Sequence, residues 1–176
     1  MHEDRILINK LKNFENINSN FLTITLILIG SILLAISAKV QVPFWPVPMT
    51  MQTFVIFLIG MTYSVRLSFA TVAFYLFQGA IGLPVFAAGG GVAYLVGPTA
   101  GYLYGMLFAS IVISYLANLG FSKTYFKATV SLLIGSAIIF SFGIIYLGYI
   151  IGFEKAVAAG LLPVSYTHLT LPTIPT

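Results

Sequence analysis

The residues able to do acid–base or metal chemistry lie at the margins of this chain. The four carboxylates are Glu3, Asp4 and Glu15 near the N-terminus and Glu154 beyond the last long apolar run; the histidines are His2 and His168, and there is no cysteine. Hydrolysis, proton abstraction and metal catalysis require such groups to converge on one point. No paired carboxylates, His-Glu-x-x-His motif or serine with a plausible base occurs within an apolar run. An ion pump would carry Asp or Glu within its spans, and none is there. The expectation is a protein that is not an enzyme and holds no metal or cofactor.

The uncharged polar residues are more telling. Gln52 sits between Thr50 and Thr53, Tyr75 and Gln78 lie close together, and Tyr94, Thr99, Tyr102 and Tyr104 follow a glycine run. A largely apolar pocket with a few placed amide and hydroxyl groups suits a small ligand of little charge. The same residues have plainer uses: tyrosines form interfacial belts, and a glutamine can bond a neighbouring helix. Gly89-Gly90-Gly91 is not a phosphate loop, because no Gly-Lys-Ser/Thr follows. Its bare backbone amides suit close approach of a ligand carboxylate; the run also suits a flexible lid, and both uses are compatible.

The elements that position these residues follow from composition. Of the 176 residues, 59% are hydrophobic and 7% charged, and mean hydropathy is +1.03. A water-soluble domain carries about 25% charged residues, so lipid is the solvent this composition fits. The expected fold class is all-α, a polytopic integral membrane helix bundle in the lipid bilayer. The net charge of +4 is small and scattered, so it reports topology rather than nucleic-acid binding.

Five spans are predicted, over about 21–38, 49–63, 67–81, 99–118 and 128–152. The segment 1–20 holds most of the charges, with Ile6, Leu7, Leu11 and Phe14 at helical spacing, as in a cytoplasmic segment with a helix lying at the membrane surface. Prolines 43, 46 and 48 make Val40–Pro48 an extended loop. Span two is short and is expected to start inside the protein. Gly82–Pro98, with two prolines and the glycine run, reads as a long loop folded back over the bundle, since irregular backbone at membrane depth needs cover. With the N-terminus inside, the inner segments hold Arg5, Lys10, Lys12, Arg66, Lys123 and Lys127, and the outer ones only Lys39 and Lys155. That bias predicts a cytoplasmic N-terminus and both elaborate loops on the outer face. In span one Gly30, Ser31, Ala35 and Ala38 form a small-residue stripe, suited to packing within the bundle or to docking a partner.

Three blocks of sequence, 38–53 (AKVQVPFWPVPMTMQT), 79–91 (GAIGLPVFAAGGG) and 97–102 (GPTAGY), resemble the signature of the BioY family, the biotin-transporter substrate-binding subunits. The resemblance covers about 21–163. It implies a six-helix S component of an energy-coupling-factor (ECF) transporter in the plasma membrane. Such a subunit binds biotin from outside and works with a membrane coupling subunit and two ATPase subunits. It further implies that the loop after span three closes over the vitamin, with Gln52, Tyr75, Phe86, Gly89, Gly90, Gly91 and Tyr94 at the binding site. Ser31, Ala35 and Ala38 then become the expected docking face for the coupling subunit.

One departure stands out. After Gly160-Leu-Leu-Pro163 the family continues with a Gly-Asp and a Lys that open the sixth helix and are expected to contact biotin. Here Val164–Thr176 carries two prolines and four threonines instead, which cannot build a span. This tail is expected to be foreign to the fold, leaving the domain 21–163 as a six-helix fold truncated to five spans. The rival readings are an S component for another vitamin, a small membrane enzyme, and an assembly protein with a solid interior beneath the glycine loop.

Overall fold

The structure is a computed structural model, and it describes residues 19–42, 47–153 and 156–157. Five main helices make the bundle: α1 Ser19–Lys39, α2 Gln52–Thr62, α3 Val65–Ala80, α5 Ala100–Asn118 and α6 Tyr125–Ile151. Each expected span appears, with ends shifted by a few residues. Three of them, over 20–39, 100–118 and 125–151, are long and apolar enough to cross a bilayer. α2, at 11 residues, rises only about 16 Å, half a typical hydrocarbon core. Its first turn is preceded by irregular chain.

On either side of residues 43–46 that chain is paired rather than free. The strands β1 (Gln41–Val42) and β2 (Met49–Thr50) pair antiparallel, Gln41 opposite Thr50 and Val42 opposite Met49, and Met51 N–H donates to the Val40 carbonyl at 3.0 Å. The ribbon pins both ends of the proline segment. Gly82–Pro98 is likewise not structureless, because a one-turn helix α4 (Val92–Leu95) and a bridge between Phe86 and Gly89 shape it. A 3-10 turn, Phe121–Lys123, joins α5 to α6.

Small residues set the helix spacing. A Cβ on Gly60 would overlap Ile113, one on Gly105 would meet the Ile139 backbone, and one on Gly101 would strike Tyr146. α5 therefore lies close against both α2 and α6. Most buried hydroxyls in the spans are absorbed by backbone carbonyls: Ser31 donates to Leu28 O, Thr71 to Leu67 O, Ser110 to Leu107 O and Ser68 across helices to Ser110 O, while the Ser114 hydroxyl of α5 has no such partner among the described residues. In hydrocarbon an unmade bond of this kind costs several kcal/mol.

The small-residue stripe of α1 takes part in this internal packing, the first of the two uses its sequence suits. Ser31 and Ala38 are fully buried and Ala35 is half-buried, while a Cβ on Gly30 would run into Thr71 of α3. The outward face of α1 carries Phe21, Ile24, Leu28, Ile32 and Ile36 instead, as a lipid-facing surface should. The interfacial helix expected in 1–20 falls outside the described residues, apart from the first two residues of α1, and so does the tail 164–176.

Candidate functional site

The end of the bundle that carries the ribbon is organised around Gln52. The ribbon delivers the chain to the first position of α2, with the Gln52 side chain turned inward and 3% exposed. Thr50 Oγ1 donates to Gln52 Oε1 at 3.0 Å, and Gln52 Nε2 donates to the Tyr75 hydroxyl at 2.7 Å. Tyr75, on α3, passes its own proton to the Val85 carbonyl at 3.0 Å. The phenol must accept from Gln52 if it donates to Val85, so this chain of bonds fixes which end of the carboxamide is which. One N–H and one oxygen lone pair of Gln52 are left over.

Val85 opens the segment 85–96, which lies over this network. Phe86 is fully buried; its ring meets Tyr75 edge-on at 5.5 Å between centroids and stacks on Tyr94 at 4.9 Å. Such pairs add about 0.5–1.5 kcal/mol each beyond the area they bury. The ring fits because position 79 is glycine, where any Cβ would overlap it. Two polar side chains from the far edge clasp the same segment: Lys39 Nζ donates to Phe86 O at 2.7 Å, and Gln41 Nε2 reaches Ala87 O at 3.4 Å. At the other end Tyr104 and Tyr146 donate to the carbonyls of Leu95 and Val96, both at 3.1 Å.

The glycine run serves this architecture. Gly89 and Gly91 have φ of +140° and +104°, a region costly for residues with a Cβ. Gly89 N–H donates to Phe86 O at 3.3 Å and Gly91 N–H to Gly79 O at 2.7 Å. A side chain on Gly90 would strike the Leu83 carbonyl. The amides of Gly89 and Gly91, expected to suit a ligand carboxylate, are thus engaged within the loop.

Beneath the loop lies a cavity of about 120 Å³, on the order of ten times the minimum for one water. Gln52, Thr50 and Thr53 line it from the ribbon and α2, and Ala87 and Tyr94 from the loop. Thr99, Tyr102, Leu103 and Met106 line it from the start of α5, and Ile139 and Phe140 from α6. The interior beneath the glycine loop is therefore hollow, unlike the solid bundle of an assembly protein. Of the expected site residues, Gln52 and Tyr94 reach the cavity. Tyr75 and Phe86 stand behind it as supports, and Gly89, Gly90 and Gly91 shape the loop without lining it. Sequence reading passed over the apolar wall of Leu103, Met106, Ile139 and Phe140, and it took Lys39 only as a topology marker. The signal for the wall was present in the spacing Gly101-x-x-x-Gly105, which marks close helix approach.

Comparison with known proteins places these features in context. The sequence profile of the BioY family matches residues 10–171, wider at both ends than the stretch 21–163. The chain is 34% identical over 158 residues to the probable biotin transporter BioY of Rickettsia prowazekii, covering 89% of this chain and 81% of that protein. It is 38% identical over 133 residues to the biotin transporter BioY of Thermotoga maritima, covering 74% and 78%. Among solved structures, the S component for biotin from an ECF-type ABC transporter superposes with a TM-score of 0.74 over 86% of this chain and 85% of that one. At 24% identity that last likeness speaks for the fold.

Proposed function

Because this chain belongs to the BioY family, we propose that it serves biotin uptake as the vitamin-binding S component of an ECF transporter, with the cavity under residues 85–96 as the binding site. It is a multi-pass membrane transport subunit, not an enzyme. The observation that carries the placement is the meeting of all three signature blocks at one cavity: Gln52 from the first, Ala87 from the second, Thr99 and Tyr102 from the third.

The chemistry of the lining supports the choice. Biotin carries a ureido group with two N–H donors and a carbonyl, a thioether ring, and an alkyl chain ending in a carboxylate. The spare donor and acceptor of Gln52 complement a ureido edge. Leu103, Met106 and Ile139 suit the ring and chain, and thioether–aromatic contact is open to Tyr102 and Phe140. A few polar groups in an apolar wall fix orientation without a large desolvation cost.

The outward-facing loops and the cytoplasmic N-terminus are part of the same proposal. α1 ends at Lys39 beside the loop, whereas Tyr63 in the α2–α3 turn donates to Leu26 O near the other end of α1. Arg66 lies next to that turn, and Lys123 and Lys127 flank the turn at the far end of α5. Basic residues favour the cytoplasmic side, which supports an outer cavity in the plasma membrane. A membrane coupling subunit and two ATPase subunits complete the proposed assembly; this chain carries no Gly-Lys-Ser/Thr nucleotide loop, so hydrolysis falls to partners. The test is equilibrium binding to purified protein with biotin, thiamine and riboflavin in parallel. Retention of biotin alone supports the reading, and selective binding of another vitamin replaces it.

A further inference from the structure

Lys39 is the last residue of α1, exposed at the residue level, yet its ammonium is not simply solvated. Nζ donates to the Phe86 carbonyl at 2.7 Å, one residue from Ala87 in the cavity lining. Gln41, two residues on, reaches the Ala87 carbonyl itself. The edge of the ribbon and the edge of the cavity therefore share one set of backbone carbonyls.

Among the described residues the charge balance here is one-sided. The described residues include no Asp or Glu, and their other cations, Arg66, Lys123 and Lys127, sit at the opposite end of the bundle. Lys39 is thus the sole charged group at the cavity end among the described residues. An ammonium has three donors, and the neutral Phe86 carbonyl takes one. A carboxylate is a much stronger acceptor for the others, because a charge-assisted bond is roughly twice as strong as a neutral one. The Gly89 and Gly91 amides do not compete for that role, since both are bonded within the loop.

We propose that Lys39 is the specificity-determining cation of the site: one ammonium holds the loop through Phe86 and takes the ligand's carboxylate with its remaining donors. This rests on the vitamin-binding reading above and adds to it which end of the ligand is recognised by charge. The ligand class is a monocarboxylate whose acid group lies at the cavity mouth beside the loop, with its apolar body inside. Loop closure and carboxylate recognition are then coupled through a single side chain.

The experiment compares biotin with biotinamide, in which a neutral carboxamide replaces the carboxylate, on wild-type, Lys39→Met and Lys39→Arg protein. Wild type is expected to favour biotin over biotinamide by roughly 10- to 100-fold, the size of a lost bond to a charged group. Lys39→Met should bind the two ligands within about threefold of each other, and Lys39→Arg should keep the preference. Two outcomes overturn the proposal: a preference undiminished in Lys39→Met, or a wild type that does not distinguish the ligands. An equal loss of both ligands in Lys39→Met, with the preference intact, also overturns it, because it reduces Lys39 to a loop anchor. Failure of wild type to bind either ligand would instead strike the vitamin reading itself.

Discussion

Gln52 Nε2 lies 2.7 Å from the Tyr75 hydroxyl, and through that bond a residue that faces the cavity is held by one that does not. Tyr75 is 1% exposed and spends its proton on Val85 O. Tyr75→Phe keeps the ring contacts with Phe86 but leaves a Gln52 N–H and the Val85 carbonyl unpaired. The expected cost is about 1–3 kcal/mol per stranded group. Thermal unfolding should fall, and biotin affinity should fall with it because Gln52 loses its orientation. Wild-type binding in Tyr75→Phe would show that Gln52 needs no such support.

Gln52→Ala removes the amide that faces the cavity and leaves the apolar wall in place. Biotin affinity is expected to drop at least about tenfold, equivalent to roughly 1.4 kcal/mol. Titration calorimetry reads this directly, and an unchanged dissociation constant would move the site elsewhere.

Gly79→Val tests the loop from below, acting on the roof of the cavity through Phe86 and Tyr94 while leaving the α5 and α6 wall in place. The new side chain would occupy the place of the Phe86 ring, forcing it and the stacked Tyr94 outward. Overpacking of this kind costs about 1–3 kcal/mol. Hydrogen exchange should rise across 83–96 while α5 and α6 stay protected; unaltered exchange in the loop would mean that Phe86 is not its anchor.

Gly143→Ala acts from the opposite wall. A Cβ at this position would enter the Tyr102 ring, which lines the cavity, so the ring must swing. Biotin binding should weaken with little change in loop exchange. The pair of glycine variants thereby separates the roof of the site from its wall.

How far the sequence discloses this arrangement depends on the kind of signal. The five helices are legible because uncharged apolar runs between Lys39, Arg66, Lys123 and Lys127 are broken by proline- and glycine-rich stretches, and three of them reach the length that lipid imposes. Gln52 is legible as a polar group at the start of a span, but only the fold shows that it both bonds a neighbouring helix through Tyr75 and faces the cavity. The glycine run is half-legible: the unusual backbone is announced by residue type, whereas the partners that consume the Gly89 and Gly91 amides, Phe86 O and Gly79 O, depend on the folded loop. The stripe of Ser31 and Ala38 is ambiguous because small residues permit close approach without saying by whom, and within this chain the neighbour is α3. Lys39 hides for the opposite reason. A lysine closing an apolar span is ordinary topology, and only the fold brings it to Phe86.

The account stands most directly on the loop 83–96 being an outward-facing cover that responds to biotin. The chain has no cysteine, so Ala88→Cys, at an exposed loop position, and Thr124→Cys, at the far end of the bundle, each offer a single reactive thiol. A membrane-impermeant maleimide applied to intact cells should label Ala88→Cys but not Thr124→Cys, and added biotin should slow labelling of Ala88→Cys. Labelling of Ala88→Cys only after the cells are opened, or at a rate indifferent to biotin, would contradict the account.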